Sequence, residues 1–206
     1  PNSNKFVIVY RDMNNSDYGT AVAGYISGTT LVLGSTYVFH TANTFYIGVT
    51  FDPHNSGKFL LTYTTNTDSK GLARVCTLSG MVISSSSVHT FNTGFSSYIS
   101  HAFDPNNSGK FVLTYADGAN SNYGTAVVGT ISGTSISFGP DHIFKSSNPG
   151  WSTTVFDPIN PDKFVTLYSV SPTTKAVIGT VTGTGISFGT PNTIANFYPS
   201  FLNASF

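Results

Sequence analysis

An internal repeat of about 52 residues constrains the fold of this chain more than any other feature of its sequence. The segment FDPNNSGKFVLTY (103–115) returns as FDPHNSGKFLLTY (51–63) and as FDPINPDKFVTLY (156–168). Two markers share the period. The Lys-Phe pairs begin at Lys5, Lys58, Lys110 and Lys163, and the turn glycines are Gly28, Gly80, Gly133 and Gly183. Self-similarity at this spacing is typical of propellers and solenoids.

Each repeat contains four runs of residues typical of β-strands. In the third copy they are A (YISHAF), B (KFVLTY), C (TAVVGTI) and D (TSISFG with the trailing DHIF). The turn DPNNSG joins A to B, and Ser132-Gly133 forms a two-residue turn between C and D. Four antiparallel strands in about 50 residues is the pattern of a propeller blade. We predict an all-β, β-propeller-like fold of four repeats, without helices, as a single domain over 1–206, with repeats at approximately 5–57, 58–109, 110–162 and 163–206.

The phase of the repeat predicts how the fold closes. The chain opens with a B strand, KFVIVY, and ends with an A strand, YPSFLNASF (198–206). In a closed ring this last strand pairs with the first B strand and removes two unpaired sheet edges. It could equally pair with a B strand of the next molecule and build a fibre. The sequence is compatible with both.

Charge is unusually sparse and excludes some partners. Charged residues make up 9% of the chain, the acids are all Asp, and the net charge is zero. The chain therefore lacks the basic patch that binds nucleic acid or anionic lipid. No apolar run approaches the roughly 18 residues of a membrane helix. We expect no nucleic-acid partner, no membrane insertion and no cofactor, and we expect self-association with neighbouring copies, because weakly charged surfaces repel each other little.

Surface chemistry favours an extracellular or virion-surface location. Ser, Thr, Asn and Gly replace charged residues, and the single Cys76 cannot form an intrachain disulfide. Pro1 begins no signal peptide, so we expect a mature or excised chain. Sequons occur at Asn14, Asn106 and Asn203. We predict that Asn14 and Asn106 lie in loops and can carry glycans, whereas Asn203 lies in the closing strand.

The runs NSNYGTAVVGTISGTSISFG (120–139) and FDPNNSGKFVLTYAD (103–117) resemble the repeats of kelch-like and Asp-box-like propeller proteins of bacterial, algal and phage surfaces. The resemblance covers all four repeats in strand order. It implies a propeller with an adhesive or structural role in a larger extracellular or virion assembly, and it implies no activity. The Asp-box pattern is echoed only by Ser16, Asp17, Gly19 and Thr20, and its Trp is missing.

Propeller geometry places the B–C loops and the D–A links on one face of the molecule. Aromatic residues at the start of each A strand, together with loop amides, could stack on and hydrogen-bond a sugar. Alternatively, the aromatics are repeated core residues that fill the mouth of the ring. The candidate glycan-binding residues are Tyr46, Tyr98, Trp151, Tyr198, Asn120 and Asn122.

The A–B loop of the third repeat partly matches a calcium-loop pattern through Asp104, Asn106 and Ser108. Its copies carry His54 and Ile159 where a ligand is needed. The sequence therefore favours a hairpin turn in which the Asp accepts local backbone N–H groups, and it predicts no metal site.

Catalytic groups are hard to find in the sequence. A glycosidase needs two facing carboxylates, and the Asp residues lie mostly in turns. His101 alone of the histidines lies within an A strand, with no counterpart at Val49 or Val155. Cys76 aligns with glycines in the other C strands, which predicts a buried, inert thiol. We predict a non-enzymatic structural or interaction module, with a glycan-binding propeller as the alternative and a glycan-active enzyme as the least favoured.

Overall fold

The computed structural model describes residues 4–199 and 201–205, and these form strands, turns and loops without any helix. Within this part of the chain there is accordingly no helix that could cross a membrane. The predicted all-β class is confirmed. The strands are β1 (Lys5–Asp12), β2 (Tyr18–Ser27), β3 (Thr30–Phe51), β4 (Lys58–Thr65), β5 (Gly71–Ser79), β6 (Val82–Ser85), β7 (His89–Asn92), β8 (Ser96–Phe103), β9 (Lys110–Asp117), β10 (Tyr123–Ser132), β11 (Ser135–Phe138), β12 (His142–Lys145), β13 (Ser152–Phe156), β14 (Lys163–Val170), β15 (Thr173–Thr182), β16 (Gly185–Phe188) and β17 (Asn192–Ala195).

The strands form antiparallel sheets that follow the repeat. Strands β8–β12 and β13–β17 form two sheets with the same internal order. Strands β1–β7 form one longer sheet, because β3 pairs with β2 through its first half and with β4 through its second half. We divide the molecule into sheet 1 (β1, β2 and residues 30–43), sheet 2 (residues 44–51 and β4–β7), sheet 3 (β8–β12) and sheet 4 (β13–β17). Sheets 2, 3 and 4 have the predicted strand order A, B, C, D.

The turn between strands C and D is as tight as predicted but lies one residue later. In sheet 3, Ser132 pairs with Ser135, which leaves Gly133 and Thr134 as the two turn residues. Gly133 has φ of +62°, and a positive φ at the first turn residue is typical of a type II′ hairpin, which favours glycine there.

The predicted D strand is divided in two, so each complete sheet has five strands rather than four. Strands β11 and β12 both pair with β10, and sheets 2 and 4 repeat this arrangement. In sheet 3 the interruption falls at Gly139-Pro140-Asp141. Pro140 has no N–H to donate to a ladder, so the strand cannot continue through it.

The closing strand predicted at 198–206 is not formed by the residues described there. Residues 198, 199 and 201–205 are irregular, and within the described chain β1 pairs only with β2. Ser200 and Phe206, which belonged to the predicted strand, lie outside the described residues. Asn203 is therefore exposed in an irregular segment rather than held in a strand.

A physical reason for this difference lies in the contacts of the same segment. The ring of Phe201 packs on Trp151 of sheet 4, with 4.8 Å between ring centroids. Residues 203–205 line a cavity beside the A strands. Pro199 has no N–H for a ladder. The segment thus packs on Trp151 and borders the cavity on the A strands, and its described residues do not pair with β1.

The hydrophobic core lies between successive sheets, in three clusters of buried side chains. Phe111 of sheet 3 is fully buried and lies over Gly129, where a Cβ atom would overlap its ring. This close approach explains a glycine in the middle of a C strand. Sheet 2 has Cys76 at the equivalent position. Cys76 is buried as predicted, and burial raises the pKa of its thiol to about 12.

Candidate functional site

The A strands of sheets 2, 3 and 4 lie side by side and form one surface, which we call the A-strand surface (residues 44–51, β8 and β13). Side chains rather than a backbone ladder join these strands. Ser152 Oγ donates a hydrogen bond to the carbonyl of Tyr98 (3.0 Å), and the N–H of Thr154 donates to Ser100 Oγ (3.0 Å). Hydroxyl groups therefore hold neighbouring sheets in register along this surface.

An open cavity of about 560 Å³ lies on the A-strand surface. All three A strands contribute to its walls, as do residues 203–205. Its polar lining includes Thr50, Ser100, His101 and Thr153. The prolines of the three A–B turns lie at its edge: Pro53, Pro105 and Pro158. Small-molecule sites in proteins typically measure roughly 300–1,000 Å³, so this cavity has the size of a ligand site.

His101 lines this cavity and is almost fully buried. Its Nδ1 lies 3.0 Å from Thr62 Oγ1, while its Nε2 has no hydrogen-bond partner among the residues that the structure describes. Burial lowers the pKa of His101 to about 4. The ring is therefore neutral at pH 7, because a charged imidazolium would be poorly solvated there.

Strand register corrects the predicted alignment of His101. His101 lies opposite Leu113, and Thr154 lies opposite Thr166. Leu113 and Thr166 each follow the repeated lysine by three residues. The counterpart of His101 in sheet 4 is therefore Thr154 and not Val155.

Aromatic side chains form a continuous row across the starts of the A strands. Tyr46 contacts Tyr98 at 5.3 Å, and Tyr98 contacts Trp151 at 5.1 Å, both close to edge-to-face. Phe95 extends the row beyond Tyr46 (6.1 Å), and Phe201 extends it beyond Trp151. We call these five residues the aromatic row. Three of its members were predicted. Phe95 was missed because it precedes the predicted A strand, and Phe201 was missed because its segment was expected to pair with the first B strand.

Two members of the aromatic row have an unusual backbone. Tyr46 and Tyr98 have φ of +49° and +54°, a region that large side chains rarely adopt. Each lies in a register shift of the A–B ladder. These bulges turn both tyrosines out of the regular alternation of the strand, and the repetition of the bulge places their rings in contact.

The other predicted glycan-binding residues lie near the row but do not extend it. Tyr198 is about half exposed, and its hydroxyl group lies against Gly150. Asn120 and Asn122 are exposed in the β9–β10 loop, where their backbone N–H groups donate to the carbonyl of Asp117. That loop meets the row through Phe95, whose carbonyl accepts a hydrogen bond from Gly118 N (2.9 Å).

The A–B turns have the Asp-capped geometry that was favoured over a calcium loop. Asp104 accepts hydrogen bonds from Asn106 N and from Asn107 Nδ2, both at 2.8 Å. Ser108 Oγ, the third candidate ligand, accepts a hydrogen bond from Asn55 Nδ2 of sheet 2. Asp52 and Asp157 cap their own turns in the same way. The carboxylates therefore hold the turns together.

The candidate glycosylation sites Asn14 and Asn106 are exposed in loops, as predicted. Within residues 4–199 and 201–205 no group of three His, Cys or Asp side chains is arranged to hold a metal ion.

The charge of Asp117 acts on Asp141, although no acidic pair is apparent in the sequence. Asp141 accepts a hydrogen bond from the hydroxyl of Tyr115 (3.0 Å), and the pKa of Asp141 is raised by burial and, to a smaller extent, by the charge of Asp117. Asp117 accepts hydrogen bonds from Asn92 Nδ2 and Ala119 N. Asp117 and Asp141 are distant in sequence, so this electrostatic effect depends on the folded structure.

No protein-family model matches the chain, and a comparison with curated proteins finds none that matches it.

Proposed function

We propose that this chain is a non-enzymatic structural or interaction module of an extracellular or virion-surface assembly, and that it acts by self-association. In this proposal the four sheets are blades of a propeller-like structure, as the resemblance to kelch-like and Asp-box-like repeats implies. The observation that carries the proposal is the apolar surface left uncovered on sheets 1 and 4, where large hydrophobic side chains are exposed: Ile8, Ile26, Leu31, Leu33, Ile178 and Ile194.

Exposed apolar surface of this kind supports association because burying it is favourable. The sparse charge supports it further, since few like charges oppose contact between copies. The capped A–B turns support a structural role, because their carboxylates are engaged in hydrogen bonds within the turn.

Sedimentation velocity over a range of protein and salt concentrations tests the proposal. We expect the sedimentation coefficient to rise with protein concentration and to persist at high salt, because apolar contacts rather than ion pairs hold the assembly. A strictly monomeric species at high concentration, or an assembly that dissolves when salt is added, would contradict it.

The aromatic row supports a second candidate function, which is glycan binding. The half-buried rings of Tyr98 and Trp151 lie at the starts of A strands whose later residues, Ser100 and Thr153, line the cavity with hydroxyl groups. Aromatic rings and hydroxyl groups together suit the apolar and polar sides of a sugar. Binding to a glycan array by the unmodified chain, and its loss in Trp151→Ala with the fold retained, would support this function. Equal binding by both proteins would rule out the row as the site.

A further inference from the structure

Each sheet has two chemically different faces. In sheet 3, strand register places Phe111, Leu113 and Tyr115 on one face with Val127 opposite Leu113. We call this the aromatic face. The alternate residues of β9 and β10 form the other face, which we call the aliphatic face: Val112, Ala126 and Val128. Strand β12 adds Phe144 at the border of this face.

The three interfaces between sheets obey one rule, in which the aliphatic face of one sheet packs on the aromatic face of the next. Sheet 1 contributes Ala21 and Ala23 against Phe59 and Tyr63 of sheet 2. Between sheets 2 and 3 the cluster contains Leu60, Ala73 and Val75 with Phe111, Leu113 and Tyr115. Between sheets 3 and 4 it contains Val112, Ala126 and Val128 with Phe164, Tyr168 and Val177.

This rule leaves two faces uncovered, one of each kind. On the aromatic face of sheet 1, Ile8 is 43% exposed, whereas its equivalents Leu61 and Leu113 are 1% and 0% exposed. On the aliphatic face of sheet 4, Ile178 is 51% exposed, whereas its equivalent Val128 is 1% exposed. The side chains are of the same kind as in the three covered interfaces, but no sheet among residues 4–199 and 201–205 packs on them.

Lysines at the start of the B strands also contact the next sheet. Lys58 Nζ donates to the carbonyl of Gly133 in the next sheet (3.0 Å), and Lys110 Nζ lies 3.6 Å from the carboxylate of Asp162 in the next sheet. Lys163 occupies this position in sheet 4 and is exposed. Sheet 4 thus presents an apolar face and a lysine equivalent to those that join sheet 2 to sheet 3 and sheet 3 to sheet 4.

We propose that the aliphatic face of sheet 4 binds the aromatic face of sheet 1 of a second copy of this chain. The inference rests on the proposed self-association and names its interface. We choose a second copy as the partner because an aromatic face packs on an aliphatic face in the three interfaces within the chain. Each uncovered face would find its complement at the opposite end of another copy. Such a contact is head-to-tail, so it closes into a ring or continues as a filament, depending on the rotation between sheets.

Two variants, each blocking one end, test this interface. Ile8→Asp places a carboxylate on the aromatic face of sheet 1, and Ile178→Asp places one on the aliphatic face of sheet 4. Both positions are partly exposed in the single chain, so the fold should survive, which circular dichroism and cooperative urea unfolding would verify. Ile159→Asp, at an exposed position in an A–B turn, is the matched control.

We expect Ile8→Asp and Ile178→Asp each to raise the concentration at which assembly is half complete by about 100-fold or more, because an unpaired charge would be buried in the contact. The control should assemble like the unmodified chain. A 1:1 mixture of the two variants should form a heterodimer and nothing larger, because one intact face remains on each.

Other outcomes would overturn the inference. If both variants assemble like the unmodified chain, association uses another surface, and the proposed self-association stands without this interface. If only one variant loses assembly, or the mixture stays monomeric, the contact is not head-to-tail between these faces. If the unmodified chain itself does not assemble, both the interface and the proposed function fail.

Discussion

Acidification should destabilise the fold through His101, and the structure gives the size of the effect. His101 is buried with its Nε2 unpartnered among the described residues, and burial lowers its pKa to about 4. In the unfolded chain the pKa of histidine is about 6.5. Between these values the unfolded chain binds a proton that the folded chain does not, so the free energy of unfolding falls as the pH falls.

The expected loss follows from the difference between the two pKa values. Each pKa unit corresponds to about 1.4 kcal/mol, so His101 removes about 3 kcal/mol of stability as the pH falls from above 6.5 to about 4. His101→Thr abolishes this term and introduces the residue found at the equivalent position 154. As the pH falls over this range, the free energy of unfolding of the original chain should therefore decrease by about 3 kcal/mol relative to that of the variant.

Urea denaturation of both proteins at a series of pH values from 7.5 to 4 measures this difference. His54→Asn serves as the control, because His54 is exposed in an A–B turn and Asn106 occupies its position in the next repeat. Its stability should run parallel to that of the original chain. Parallel curves for His101→Thr as well would refute the reasoning, since they would mean that the buried ring is protonated as easily as in the unfolded chain.

Two further predictions concern the C strands. Gly129→Ala should lower the free energy of unfolding by about 1–3 kcal/mol, because the new methyl group overlaps the fully buried ring of Phe111. Gly24→Ala meets a partly exposed ring that can move, so its cost in thermal or urea unfolding should be smaller, and equal costs would contradict this explanation. Cys76 should resist a disulfide reagent at pH 8 in the folded chain and react fully in urea, because burial raises its pKa to about 12; rapid reaction without urea would show that the thiol is accessible.

The sequence predicted those parts of the fold that depend on local chemistry. Turn glycines such as Gly133 need a positive φ, and the Asp-Pro turns need a carboxylate such as that of Asp104. Both residue types therefore recur in the sequence at the spacing of the repeat. Strand order followed from the period between them. The burial of Cys76 followed from its alignment with close-packed glycines.

Features that depend on contacts between distant residues were missed or wrongly predicted. The segment at 198–205 has the composition of an A strand, but Phe201 packs on Trp151 instead. The bulges at Tyr46 and Tyr98 could not be predicted from the alternation of apolar and polar residues, because they depend on packing between neighbouring A strands. The electrostatic effect of Asp117 on Asp141 likewise depends on how strands pair in space.

The unbroken strand β3 makes the four repeats unequal as cooperative units. In a repeat protein, stability is approximately a sum of terms for each repeat and for each contact between neighbours. The first part of β3 is hydrogen-bonded to β2 and its second part to β4. Sheets 1 and 2 are therefore linked by one continuous hydrogen-bonded strand as well as by side-chain packing. Sheets 3 and 4 each begin with a separate strand after an irregular link. Sheets 1 and 2 should therefore open together, so that their amide protons exchange as one group, while sheet 4 can detach by itself.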